Sequence, residues 1–218
     1  MKKQLFLLST LGCILFCRGV GAESFNSWDR LESLKTIYKS RATSALEVLI
    51  SKKIKNAKKR KEIITLINRE SKKYNIDPIF IATLIYVESS FNVFAKSSAG
   101  AIGLMQVLPN TGRMIAARTG TLLKNISDLY KPHINIKFGV WYIQKLLKQF
   151  NDPLLAITAY NYGPGNVRKF QRIYENFPRF PYMVKIERIY SNYLKELSIL
   201  NSLVKAGLVS SGEIKYKL

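Results

Sequence analysis

The run Pro78-Ile79-Phe80-Ile81-Ala82-Thr83-Leu84-Ile85-Tyr86-Val87-Glu88-Ser89 decides the fold. Asp77 precedes it as an N-cap whose carboxylate can accept from the first free N–H groups. Pro78 takes the first helical position, where a missing N–H costs nothing. Ile79, Phe80, Ile81, Ala82, Leu84, Ile85 and Val87 leave the helix apolar on nearly every side. Such a helix is buried, so other elements must surround it.

Those elements read as helices. Upstream, Ile63, Ile64, Leu66 and Ile67 begin an amphipathic helix from Glu62 to about Tyr74, stopped at Asn75. Downstream, residues 91–102 keep no period and end in Ala99-Gly100-Ala101-Ile102-Gly103, a loop. Pro109 starts a short helix to about Arg118. Pro132 opens another, with Ile136, Val140, Ile143, Leu146 and Leu147 on its apolar face. Asp152-Pro153 repeats the cap-plus-proline start of a helix that runs to Tyr160 and breaks at Tyr162-Gly163-Pro164-Gly165. A last amphipathic helix spans Tyr182 to about Leu200. No strand pair or hairpin signal appears, and the chain reads as mainly α.

The 218 residues include 47% hydrophobic side chains, too many for a disordered chain. One His and two Cys exclude a His/Cys zinc site and leave a Ser-His-Asp triad resting on His133 alone. No cofactor or metal is expected. The 35 Lys and Arg against 14 Asp and Glu point to an anionic polymer, a membrane surface or nucleic acid as partner.

The first residues narrow that choice. Lys2 and Lys3 precede an apolar stretch from Leu5 to Phe16, and Val20-Gly21-Ala22 offers a cleavage site. This is the layout of a secretory signal over residues 1–22, with an apolar run short for a membrane span. Both cysteines, Cys13 and Cys17, lie within it, so cleavage leaves no cysteine. Lipid modification is the alternative. Gly12 before Cys13 suits it, but Thr10 stands where a lipid-attachment signal usually has Leu. Cleavage removes Lys2, Lys3 and Arg18 and no acid, so the exported chain stays strongly basic. An exported basic protein meets wall polymers or anionic lipid in the periplasm or cell envelope rather than nucleic acid. Residues 23–61 read as a basic helical extension. Its run Lys52, Lys53, Lys55, Lys58, Lys59, Arg60 and Lys61 is a solvated helix face or linker, and an attraction to an anionic wall or membrane surface. Residues 201–218 form a tail.

Glu88 ends the most apolar helix of the chain, and from Ser89 to Ser127 there is no other acid. A carboxylate there is costly unless exposed, paired or protonated. One reading is a glutamate exposed at a helix end or bound to a base. The other is a lone acid whose burial raises its pKa, suited to protonating a glycosidic oxygen. Glycoside cleavage commonly needs a second carboxylate, and nothing in the spacing brings Asp128 or Asp152 to it. Substrate assistance by an N-acetyl group is the exception to the pair.

Glu88-Ser89, Phe91-Asn92, Ala95, Ser97, Gly100-Ala101 and Gly103-Leu104-Met105-Gln106 resemble the signature of the soluble lytic transglycosylase catalytic domain. Ala159-Tyr160-Asn161-Tyr162-Gly163-Pro164-Gly165-Asn166-Val167 resembles its second block, with a Pro-Xaa-Xaa-Asn-Ile element at Pro132 to Ile136 between them. The resemblance covers roughly residues 62–200 and implies a lysozyme-like helical domain. It implies cleavage of the MurNAc–GlcNAc β-1,4 bond of peptidoglycan glycan strands without water, leaving 1,6-anhydroMurNAc ends. Glu88 then matches the catalytic acid/base. Ser97, Gln106, Tyr160 and Asn161 match substrate-binding positions, the Tyr hydroxyl reaching the glutamate or the N-acetyl group. Met105 and Leu108 match packing at the site. The chain departs from the pattern in Val93, where Pro is frequent, and in Leu108, where Met is frequent. It also lacks an acid near Pro178, for which Glu175 and Glu187 are the nearest substitutes. A lysozyme-type hydrolase and a non-catalytic wall-binding protein are the alternatives on the same fold.

Overall fold

The computed structural model describes residues 46–47, 49–173 and 178–205. The expected signal segment and most of the extension lie outside the described residues.

Seven α-helices are described beyond a short helical segment near Leu46. Helix α1 spans Ala57–Tyr74, α2 Pro78–Ser89, α3 Pro109–Thr119, α4 Pro132–Phe150, α5 Pro153–Tyr162, α6 Pro164–Ile173 and α7 Pro181–Lys205, with a 3-10 turn at Ile126–Tyr130. Among the described residues there are no strands, only isolated bridges pairing Ile102 with Lys96 and with Val107.

Local chemistry sets the boundaries. The Asp77 carboxylate accepts from the Ile79 N–H at 2.9 Å and starts α2. Asp152 accepts from Leu154 and Leu155 at 2.7 and 3.0 Å and starts α5. Asn75, Ser90 and Asn151 stop α1, α2 and α4 in the left-handed conformation that terminates helices.

Three departures from the sequence reading have local causes. Helix α1 begins at Ala57 rather than Glu62, because the Asn56 side chain accepts from the Lys59 N–H at 2.9 Å and caps it within the basic run. Helix α6 follows the Tyr-Gly-Pro-Gly break directly. Gly163, at φ +81°, reverses the chain, and Pro164 begins a new helix that buries Val167. Helix α7 continues past Leu200 to Lys205.

Two apolar clusters form the core. The larger joins α1, α2, α4, α5 and α7 through side chains such as Ile67, Ile81, Leu84, Ile143, Ile157 and Ile186. The smaller gathers Ile102, Val107, Ile115, Leu129, Ile134 and Phe138. Helix α4 serves both, so its first turns fix one lobe against the other. As its composition dictates, α2 is buried from Ile79 to Ile85, and the Thr83 hydroxyl is satisfied by donating to the Ile79 carbonyl at 2.8 Å.

Leu46, Leu49 and Ile50 also enter the larger cluster. Arg60, 4% exposed, holds them there. Its guanidinium donates to the Ile54 carbonyl at 2.9 Å and to the Lys55 carbonyl at 3.3 Å, and pairs with Glu47. One member of the basic run is therefore an internal clamp rather than a solvated charge. Arg60→Ala is expected to cost about 2 kcal/mol, since a buried guanidinium's charged hydrogen bonds to part-buried acceptors are lost with its packing. Urea unfolding and limited proteolysis ahead of α1 read this out; an unchanged midpoint and cleavage pattern would mean the apolar contacts alone hold the segment.

Candidate active site

Glu88 lies in the last turn of α2, and the chain turns immediately after it. Ser90 and Phe91 both adopt positive φ, 50° and 63°. The Ser89 hydroxyl sits 3.1 Å from the Ile85 carbonyl and 2.8 Å from that of Leu104, tying the end of α2 to the loop that follows. That loop folds back on itself. Gly103 N–H donates to Ala95 at 2.8 Å, and Ile102 and Val107 exchange backbone bonds at 3.1 and 2.9 Å.

Asn135, on the first turn of α4, anchors the loop from below. It is fully buried. Its carbonyl oxygen accepts from Met105 N–H at 2.7 Å, and its amide donates to the carbonyls of Ile102 and Leu129 at 2.8 and 2.7 Å. Gly103 is required above it. A Cβ there would stand 2.5 Å from the Asn135 amide nitrogen, and φ is +77°. Gly139, a turn further along α4, leaves space for Met105, whose sulfur would lie 2.4 Å from an added Cβ.

The loop places the expected site residues. Met105 is fully buried against α4. Gln106 has φ +47°, and its amide nitrogen donates to Gly103 at 2.9 Å and Ala95 at 3.3 Å, so its donors serve the loop. Ser97 organises a turn, its hydroxyl accepting from Ala101 N–H at 3.0 Å. Asn161 is exposed in the last turn of α5. Leu108 is 44% exposed and stands ahead of Pro109 in an extended conformation as the N-cap of α3. Tyr160 lies under the same loop. Its hydroxyl donates to the Met105 carbonyl at 2.8 Å rather than to Glu88, and its ring lies 5.6 Å from that of Tyr142.

The hydroxyl that reaches Glu88 belongs to Tyr182, in the first turn of α7, which donates to Oε1. Sequence reading placed Tyr182 only as the start of a helix. Its signal was position, an aromatic after Pro181 where the last helix begins, and only packing of α7 against α2 joins the two residues.

Burial raises the Glu88 pKa above its ordinary value, opposed by the Tyr182 hydrogen bond and the field of Lys185. The carboxyl thus keeps its proton to higher pH than an exposed glutamate. Burial and the neighbouring Glu88 charge push the Tyr182 and Tyr160 phenols well up, so both remain donors. The other acids nearby in sequence have structural tasks. Asp128 accepts from Asn125 N–H at 2.9 Å and pairs with Lys131 at 2.8 Å, which hold its pKa below the usual range. Asp152 caps α5. Glu187 pairs with Arg179, and Glu175 lies outside the described residues. Among the described residues no three metal-ligating side chains converge. The arrangement offers one part-buried acid, held by a phenol, beside a loop that folds back on itself.

The transglycosylase SLT domain model matches residues 65–182, more than half of the chain. Membrane-bound lytic murein transglycosylase C of Actinobacillus pleuropneumoniae is 38% identical over 119 residues, covering 50% of this chain and 33% of the relative. The protein of that name from Glaesserella parasuis is 40% identical over 136 residues, 58% of this chain and 35% of the relative. The chain therefore spans about a third of these relatives' length. Among solved structures, an inactive mutant of the lytic transglycosylase Slt from Pseudomonas aeruginosa aligns with TM-score 0.54 and 28% identity, over 62% of this chain and 24% of that one. The 70-kDa soluble lytic transglycosylase of Escherichia coli aligns over the same shares with TM-score 0.52 and 25% identity. The helical order, the place of Glu88 at the end of α2 and the sequence match converge, and the chain belongs to the transglycosylase SLT domain family.

Proposed function

We propose that the chain is a peptidoglycan lytic transglycosylase that cleaves the MurNAc–GlcNAc β-1,4 bond without adding water. The observation that carries this reading is Glu88, a part-buried carboxyl with a raised pKa whose hydrogen-bond partner is the Tyr182 phenol. It enters the reaction protonated and gives its proton to the oxygen leaving C1 of MurNAc. As carboxylate it then takes the proton of the C6 hydroxyl of the same sugar. That oxygen bonds to C1, and the 1,6-anhydro ring closes. The carboxyl regains its proton, and one residue serves both steps. The attack gains from having nucleophile and electrophile on one ring. Asp128 and Asp152 are committed to local structure, which favours assistance by the substrate over a second enzyme carboxylate.

Gln106, Ser97 and Asn161 belong to this reading as the substrate-binding set, with Tyr160 supporting it through the Met105 backbone. Export to the cell envelope follows from the leader-like first 22 residues. The lysines ahead of and within α1 add attraction to an anionic wall or membrane surface. No helix of the described residues is long and apolar enough to cross a membrane.

Mass spectrometry of digested sacculi tests the reaction. Muropeptides lighter by one water and lacking a reducing end are expected; hydrated reducing ends alone would make the chain a hydrolase.

Tyr182→Phe gives a sharper reading of the site. Loss of the phenol removes a bond that favours the carboxylate, so the Glu88 pKa rises further. Activity that needs protonated Glu88 fades as pH passes that pKa. The alkaline limb of kcat/KM should therefore move to higher pH in Tyr182→Phe, while the rate falls from lost positioning. A lower rate with an unmoved limb would make Tyr182 a packing residue.

A further inference from the structure

A second cleft, of about 610 Å³, opens between α1, α4 and the segment after α3. Arg69, Glu70 and Lys73 line it from α1, His133 and Lys137 from α4, and Leu122 from the connecting segment. None of Glu88, Gln106, Tyr160 and Tyr182 borders it. Its walls draw on both lobes, since Ile134 beside it belongs to the smaller cluster and Ile67 on α1 to the larger.

Glu70 is the unusual member. It is 3% exposed. Its Oε1 takes Arg69 Nε and Nη2 at 2.8 and 2.7 Å, and its buried Oε2 has no hydrogen-bond partner. A buried carboxylate oxygen without a donor is costly, and a ligand N–H removes that cost. The lysines present the opposite demand. Among the described residues neither Lys73 nor Lys137 has an ion pair with an acid, and Lys73 lies 5.0 Å from the centre of the Tyr74 ring. Leu122, 70% exposed, adds apolar surface at the rim.

These demands select a ligand class. A simple anion would satisfy the lysines but bring no donor to Oε2 and meet its charge. A simple cation would meet Arg69, Lys73 and Lys137. We propose that this cleft binds a zwitterionic peptide, its ammonium on Glu70 Oε2, its carboxylate on Lys73 and Lys137, and an aliphatic side chain on Leu122. Peptidoglycan stems that carry a diamino acid have all three groups. The choice of a stem rests on the peptidoglycan reading above; the demand for a zwitterion does not. Bound there, a stem would hold wall material to the enzyme at a point apart from Glu88.

The experiment titrates the full chain with the tripeptide N-acetyl-L-Ala–γ-D-Glu–diaminopimelate, whose one free amine is on the diamino acid side chain, followed by calorimetry. Saturable binding at one site is expected. Acetylating the side-chain amine of the peptide should weaken it by about tenfold, the scale of one charge-assisted hydrogen bond. Lys73→Ala/Lys137→Ala should weaken it by at least about tenfold on the same ground. Glu70→Gln should bind native and acetylated peptide alike. If that variant does not fold, the acetylated peptide on the unaltered chain makes the same test. Equal binding of the two peptides by the unaltered chain, displacement by equimolar inorganic phosphate, or no binding at all would overturn the proposal. So would binding that survives Lys73→Ala/Lys137→Ala and is lost in Glu88→Gln, which would put the peptide in the catalytic groove. Sacculus digestion by the same preparation keeps the two readings apart. Anhydro products without peptide binding leave the reaction standing and the cleft refuted. Peptide binding without anhydro products does the reverse.

Discussion

Glu88→Gln is expected to cut release of anhydromuropeptides from sacculi by roughly 100- to 10,000-fold, the range for loss of a general acid. The amide keeps the size of the carboxyl and can still accept from the Tyr182 hydroxyl, so the fold should survive. It cannot give a proton to the leaving oxygen or take one from the C6 hydroxyl. Stability should move the other way. The folded-state pKa of Glu88 is raised, so the folded chain holds this proton to higher pH than the unfolded chain does. Stability linked to Glu88 is full below its unfolded pKa and is lost as pH rises through the folded value. At acid pH the variant and the parent should therefore melt alike. As pH rises through the folded pKa, the parent must carry a part-buried carboxylate and the variant need not, so the variant should melt higher. Thermal scans across pH, beside product analysis, read both effects. Undiminished product release would remove Glu88 from the chemistry, and a pH-independent difference in melting would mean its burial does not govern its charge.

Asn135→Leu should give the largest loss of stability. Leucine is close to asparagine in size, so little cavity forms and the polar partners carry the effect. Met105 N–H loses its acceptor and the Leu129 carbonyl its donor, around a fully buried side chain, while the Ile102 carbonyl keeps the Val107 N–H. Each unsatisfied buried group costs ~1–3 kcal/mol, so a loss of about 4 kcal/mol is expected. Asn135→Asp separates the two functions of the amide. It keeps the acceptor for Met105 and removes both donors, and it puts a charge where two carbonyls point. Urea unfolding measures the total. Protease cleavage within residues 91–108 reports whether the loop beside Glu88 loosens first. A shift under about 1 kcal/mol, the scale of one ordinary hydrogen bond, would mean that water replaces the amide.

Much of this architecture was legible beforehand because the signals were local. Asp77-Pro78 and Asp152-Pro153 start helices through bonds that span two or three residues. The composition of α2 required its burial, and Glu88 drew attention as the acid at its end. Helix α6 was not legible, since Tyr-Gly-Pro-Gly reads as a stop and only the φ of Gly163 shows that the chain restarts at once. Arg60 was not legible either. Within a run of lysines it looks like one more solvated charge, and its burial depends on carbonyls presented by the turn before it.

The sequence by itself determined the helical order, the caps, the buried α2 and the acid at its end, together with the motif blocks that mark the family. These depend on periodicity and on contacts a few residues long. Only the tertiary structure decided what Glu88 touches. Tyr182 is 94 residues away in the chain and reaches Oε1 because α7 packs on α2. Tyr160, the tyrosine expected to reach the glutamate or the N-acetyl group, holds the Met105 carbonyl 55 residues away. Which of two tyrosines donates to one carboxylate is a matter of helix packing. No spacing in the sequence encodes it.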